Sequence, residues 1–163
     1  MKRSIKFLVI FTILSVFISC NDDDSDPAPS HIIVTFTADL DGESEVPPVT
    51  TTSANGSAVL LFDKTTKIFT LRVIYTGLVV TDAHVHKGAV GVDGGVVFPI
   101  TDFSSPMDYT SRPLTAAEEA DLFANLYYVN LHTAAFPGGE IRGQLTTTNP
   151  GGSGGGGGGG GTY

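Results

Sequence analysis

From Ile32 to Leu40 the chain alternates residue by residue. Ile32, Val34, Phe36, Ala38 and Leu40 fall on one side, and Ile33, Thr35, Thr37 and Asp39 on the other. A period of two marks a strand with one face in a core and one in water, and no amphipathic helix presents it. The pattern recurs from Ser57 to Phe62 after Asn55-Gly56, and from Ile68 to Tyr75, where Phe69, Leu71, Val73 and Tyr75 share a face. The polar turn from Asp63 to Lys67 joins those two runs into a predicted hairpin. Val79 to His86, Val96 to Ile100, Tyr127 to Thr133 and Glu140 to Thr147 are further strand candidates, separated by glycine and proline. Roughly seven to eight short strands predict an all-β chain, an antiparallel β-sandwich of Ig-like or Greek-key type. One segment departs from the pattern. Thr115-Ala116-Ala117-Glu118 has the spacing of a capping box and predicts a single short helix over 115–125.

The strands occupy the middle of the 163 residues, and the ends read differently. Lys2, Arg3 and Lys6 precede the apolar run Phe7 to Ile18 and then Ser19-Cys20, the order of an export signal. Cys20 is the only cysteine, which excludes an internal disulfide, and its place behind the apolar run resembles the lipobox of bacterial lipoproteins. Asn21-Asp22-Asp23-Asp24-Ser25-Asp26 and Pro27-Ala28-Pro29 follow as an acidic, extended tether similar to the surface-export signal of some Gram-negative lipoproteins. The expected organisation is a lipoprotein signal over 1–19, a tether over 20–30, a β domain over 31–149 and a glycine-rich tail over 150–163. The expected location is the outer membrane, lipid-anchored and facing outward. Without the signal, six basic residues stand against seventeen acidic ones, a formal charge near −11. Such a surface repels phosphate backbones, so nucleic acid is excluded as a partner. After the signal no apolar run approaches the ~20 residues of a spanning helix, so membrane attachment falls to the lipid anchor alone.

Three stretches carry the chemistry: Glu45-Val46-Pro47-Pro48-Val49; His84-Val85-His86-Lys87-Gly88 with Gly91 and Gly94 behind it; and Tyr128-Val129-Asn130-Leu131-His132-Thr133 leading to Pro137-Gly138-Gly139-Glu140-Ile141-Arg142-Gly143-Gln144. In this fixed order they resemble the CHRD domain, named for chordin and present in many bacterial secreted proteins, over roughly Ile33 to Leu145. The resemblance implies an extracellular β domain and implies no reaction.

The residues also speak without the family. Strand periodicity puts His84 and His86 on one face and Val85 in the core. In the last hairpin Val129, Leu131, Ile141 and Leu145 must share the inner face, and the turn Phe136-Pro137-Gly138-Gly139 sets His132 opposite Arg142 and Asn130 opposite Gln144. Arg142 is expected to pair with Glu140 or Glu45 and to serve as a structural hub. His84, His86 and His132, if they meet, offer three nitrogens suited to zinc or copper, with Glu140 as carboxylate neighbour. The paired histidines are similar to those of copper/zinc superoxide dismutase, but no fourth histidine stands at a fitting place, and a zinc-loop cluster and a cysteine pair are lacking. The expected ground state is metal-free, with no required cofactor. The glycines from Gly88 to Gly95 read as a turn because no helix follows them, and Ser104, Ser105 and Ser111 lack a nucleophile elbow, so no catalytic residue is identified. Two functions compete: a non-catalytic binding or adhesion module for a protein or glycan ligand, and a metal-binding envelope protein or enzyme built on the three histidines.

Overall fold

The computed structural model describes residues 30–148; the expected signal, Cys20, nearly all of the tether and the glycine tail lie outside the described residues. Eight strands and one helix follow in order: β1 (Ile33–Asp41), β2 (Asn55–Asp63), β3 (Ile68–Thr76), β4 (Val80–Lys87), β5 (Gly95–Ile100), β6 (Met107–Thr110), α1 (Ala116–Phe123), β7 (Tyr127–Thr133) and β8 (Ile141–Gln144). The chain is all-β and antiparallel, as its alternation requires. All eight strands join one sheet in the order β5-β4-β7-β8-β1-β2-β3-β6. The sheet curls over on itself, nearly into a barrel, so its two ends become facing layers. Phe69 on β3 and Phe98 on β5 are far apart in strand order, yet their ring centroids lie 5.1 Å apart at 88°.

The alternation in β1 translates directly into burial, with Val34, Phe36, Ala38 and Leu40 inside and the residues between them exposed. Leu60 and Phe62 of β2, Phe69, Leu71 and Val73 of β3, Val85 of β4 and Val129 and Leu131 of β7 complete the inner face. Each large side chain so buried contributes about 1.5–3 kcal/mol. The helix closes one end. The Thr115 hydroxyl and the Glu118 carboxylate form the reciprocal capping box, and Phe123 sets its ring edge-on against Phe36 and Phe62 at 5.6 and 5.8 Å.

Two details differ from expectation. The short strand β6 pairs with β3 through Val73↔Met107 to Thr70↔Thr110. Its four residues are too few and too polar to show a period. In the last hairpin Asn130 lies opposite Arg142 and Tyr128 opposite Gln144, two residues from the expected register. A slip of two keeps every side chain on its face, so the apolar pattern is blind to it. The turn decides: Thr133 and Phe136 exchange backbone hydrogen bonds, Gly139 N–H donates to Phe136 O, and the hairpin closes nearer Thr133 than the proline suggests.

Candidate functional site

β4, β7 and β8 are neighbours in the sheet, and their core-averted faces line up. Asp82 pairs with His132, His84 with Asn130 and His86 with Tyr128 across β4–β7, and Asn130 and Tyr128 pair onward with Arg142 and Gln144. A half-buried strand would leave this face in water. Here β7 is buried along its whole length, because the β1–β2 and β4–β5 loops fold over it. Asn130 is 3 % exposed, His132 6 % and Arg142 2 %.

The histidines converge. One ring nitrogen of each of His84, His86 and His132 lies within 4.8 Å of those of the other two, and His84 Nδ1 stands 3.1 Å from His132 Nε2. The other nitrogen of each ring faces an oxygen: Asp82 Oδ1 at 3.1 Å from His84 Nε2, Gly94 O at 2.8 Å from His86 Nδ1, and Pro137 O at 3.1 Å from His132 Nδ1. Burial holds the His86 and His132 imidazoles below the usual histidine range, against the raising pull of the Gly94 and Pro137 carbonyls, so the neutral rings are favoured. His86 is clamped further by Tyr128, whose ring stacks on it at 5.0 Å and 16°, and Arg142 caps Tyr128 from 3.4 Å above its centroid.

Arg142 is buried and central, but its partners are not the expected carboxylates. Its guanidinium donates to Val92 O at 3.0 Å, to Ala89 O at 3.1 Å and to Gln144 Oε1 at 3.5 Å, and it forms no ion pair with Glu45 or Glu140. It holds the glycine-rich β4–β5 loop down on the sheet, which makes that loop a structural turn. Glycine is obligatory in its wall, since a Cβ at Gly94 would sit 1.8 Å from Lys87 O. Glu140 instead accepts from the Thr52 and Thr133 hydroxyls at 2.7 and 2.6 Å, and so is neither Arg142's partner nor a neighbour hydrogen-bonded to the histidines. Glu140, just before β8, meets Thr52 of the β1–β2 loop and the end of β7, whereas Arg142 within β8 reaches the β4–β5 loop.

Glu45 belongs to the β1–β2 loop and is brought against β7, where Asn130 Nδ2 donates to it at 3.4 Å. Burial pushes its carboxyl up to about 7, against the lowering charge of Arg142. Glu45 Oε1 and Asn130 Oδ1 are buried without a hydrogen-bond partner. Both lie beside Gly139, where a φ of +129° and a Cβ that would fall 2.5 Å from these groups leave no room for a side chain. Beside Glu45 a cleft of about 290 Å³ opens between the β1–β2 loop and the β7–β8 turn, with Val46, Pro47, Asp93, Phe136 and Pro137 in its walls. A larger groove of about 490 Å³ crosses β2, β3 and β6 on the opposite side, and its charged groups are a surface pair, Arg72 with Asp108.

The candidate site residues Glu45, His84, His86, Asn130, His132, Glu140 and Arg142 thus lie on one side of the molecule, while Cys20 lies outside the described residues. Asp82 was not singled out from the sequence, and Gly94 and Tyr128 stood in its motifs without a role at the site. The same period carries Asp82-His84-His86 and Tyr128-Asn130-His132, so the signal for two of them was present in the spacing.

The sequence matches the CHRD domain family over residues 36–145, nearly the entire described region. No curated protein and no solved structure shows significant similarity to the chain.

Proposed function

The chain belongs to the CHRD domain family, and on that footing we propose that it is a lipid-anchored binding or adhesion module displayed on the outer face of the outer membrane. The observation that carries the binding role is the cleft beside Glu45. Asp93 supplies negative charge and Glu45 a carboxyl raised to about 7 that a cation would help to ionise, while Val46, Pro47 and Phe136 supply apolar wall. Such walls suit a cationic group on an apolar stem, which a lysine- or arginine-bearing protein segment offers and a neutral glycan does not. The anchoring role rests on Cys20 directly behind an apolar run, and display on the acidic tether that follows.

Two experiments test this reading. Cys20→Ala is expected to move the protein from the membrane to the soluble fraction, and unchanged detergent partitioning of the variant would remove the anchor. Protease added to intact cells should digest the parent; survival would place it on the inner face. For the cleft, the purified chain is screened against lysine-rich peptides and neutral glycans. Peptide binding that Phe136→Ala and Asp93→Asn both abolish supports the assignment, and binding indifferent to both substitutions overturns it.

A further inference from the structure

We propose that His84, His86 and His132 form a mononuclear site for a borderline divalent cation, copper(II) ahead of zinc. The proposal rests on the imidazoles and is independent of the anchor and the cleft. Its argument begins with protons. Gly94 O and Pro137 O can only accept hydrogen bonds, so His86 Nδ1 and His132 Nδ1 carry the N–H, and the Asp82 carboxylate 3.1 Å from His84 Nε2 draws the His84 proton to that nitrogen by charge. In a neutral imidazole the opposite nitrogen then holds a lone pair. Those opposite nitrogens are His84 Nδ1, His86 Nε2 and His132 Nε2.

The lone pairs face one another. His84 Nδ1 and His132 Nε2 stand 3.1 Å apart, and His86 Nε2 is buried with no hydrogen-bond partner. Three acceptors gathered in one enclosed space repel unless an electron-pair acceptor lies between them. A proton links two of them and leaves His86 Nε2 orphaned, whereas a metal ion satisfies all three. Size agrees: bonds of about 2.0–2.1 Å place ligand nitrogens roughly 2.9 Å apart at the right angles of a tetragonal copper(II) site and roughly 3.3 Å apart in a tetrahedral zinc site. The His84–His132 pair already falls in that range, and the 4.8 Å bound on the group leaves a small inward movement of His86.

The surroundings match a ligand shell. Each imidazole is oriented by an oxygen on its far nitrogen, the arrangement that fixes tautomer and raises ligand basicity in metal sites. Tyr128 and Arg142 hold the His86 ring from the side. Glu140 is consumed by Thr52 and Thr133, so the donor set is three neutral imidazoles, with further positions left to water or an outside ligand. Imidazole donors select zinc and copper among available ions, and copper(II) binds more tightly than zinc at nitrogen sites generally.

The full chain, solubilised in detergent and stripped with a chelator, is titrated with copper(II) and with zinc. One ion per chain is expected, with copper displacing zinc, and the copper electron-spin resonance should show hyperfine coupling to imidazole nitrogens. His84 is the least buried of the three, so His84→Gln is the variant best placed to fold, and a thermal melt of the stripped protein checks that it does. It should lower affinity at least 100-fold. Asp82→Asn, which touches no metal, should lower it about 10-fold by loosening His84. His31→Gln, remote and paired with Asp63, should change nothing. Absence of stoichiometric binding, a folded His84→Gln protein with parental affinity, or loss of binding in His31→Gln would each overturn the site.

Discussion

The outward faces of β1–β2–β3 and of β4–β7–β8 start from the same strand geometry and end in opposite environments. On the first, residues alternate cleanly between core and water, and the Arg72–Asp108 pair sits with side chains 56 % and 64 % exposed. On the second, loops cover the polar rows, and Asn130, His132 and Arg142 are as buried as the core. Burying polar groups is costly unless they are paired, so a covered polar face must be satisfied from within. It is satisfied only in part: the unpartnered Glu45 Oε1, His86 Nε2 and Asn130 Oδ1 all belong to the covered face.

The largest test of the contrast substitutes one arginine on each face. Arg142→Ala strips two loop carbonyls of their donor and removes the cap on Tyr128, and should cost about 3 kcal/mol in a denaturant melt. Arg72→Ala should stay within about 0.5 kcal/mol. Equal losses would erase the distinction between the faces. If Arg142→Ala melts like the parent but no longer binds, Arg142 is a contact residue and the scaffold role is wrong.

A smaller effect is expected from glycine. Gly139→Ala forces a Cβ to 2.5 Å from Asn130 and Glu45 at a φ of +129°, whereas Gly95 has nothing within 4 Å. Gly139→Ala should cost about 2 kcal/mol and Gly95→Ala far less. Thermal melts of the pair read the difference, and matched midpoints would mean that the turn relaxes freely.

The smallest effect is a slope with pH. The Glu45 carboxyl is raised from 4.5 to about 7, so the folded chain holds that proton more tightly than the unfolded one. Its contribution is fully present below about pH 4.5 and is lost as pH climbs through about 7, on the order of 2 kcal/mol in all. His86 and His132, lowered by burial, act in the opposite sense by losing stability as pH falls. Subtracting the melting curve of Glu45→Gln from that of the parent cancels them. The difference should decline from pH 4.5 to 8, and a flat difference would show that folding leaves the Glu45 pKa unchanged.

Much of this molecule was legible in local spacing. The period of two in Ile32 to Leu40 and Ile68 to Tyr75 named the core-facing side chains, apart from Ile32, which lies before β1 and is exposed, because pleating assigns alternate residues to opposite faces whatever the partner strand. The box at Thr115 and Glu118 announced the helix, since both hydrogen bonds close within one turn. His84 and His86 could be placed on one face for the same local reason. Their meeting with His132 could not, because it needs β4 to pair with β7 across the 39 residues between them. The partners of Arg142 were equally out of reach. A register slip of two leaves the apolar pattern intact, so only the closed turn put Asn130 opposite Arg142, and only the folded β4–β5 loop brought the Ala89 and Val92 carbonyls within its reach. The sequence by itself determined which residues lie on which face of each strand, since that follows from bonded geometry. Tertiary structure decided which faces meet water and which polar groups meet each other, since both depend on where distant loops return.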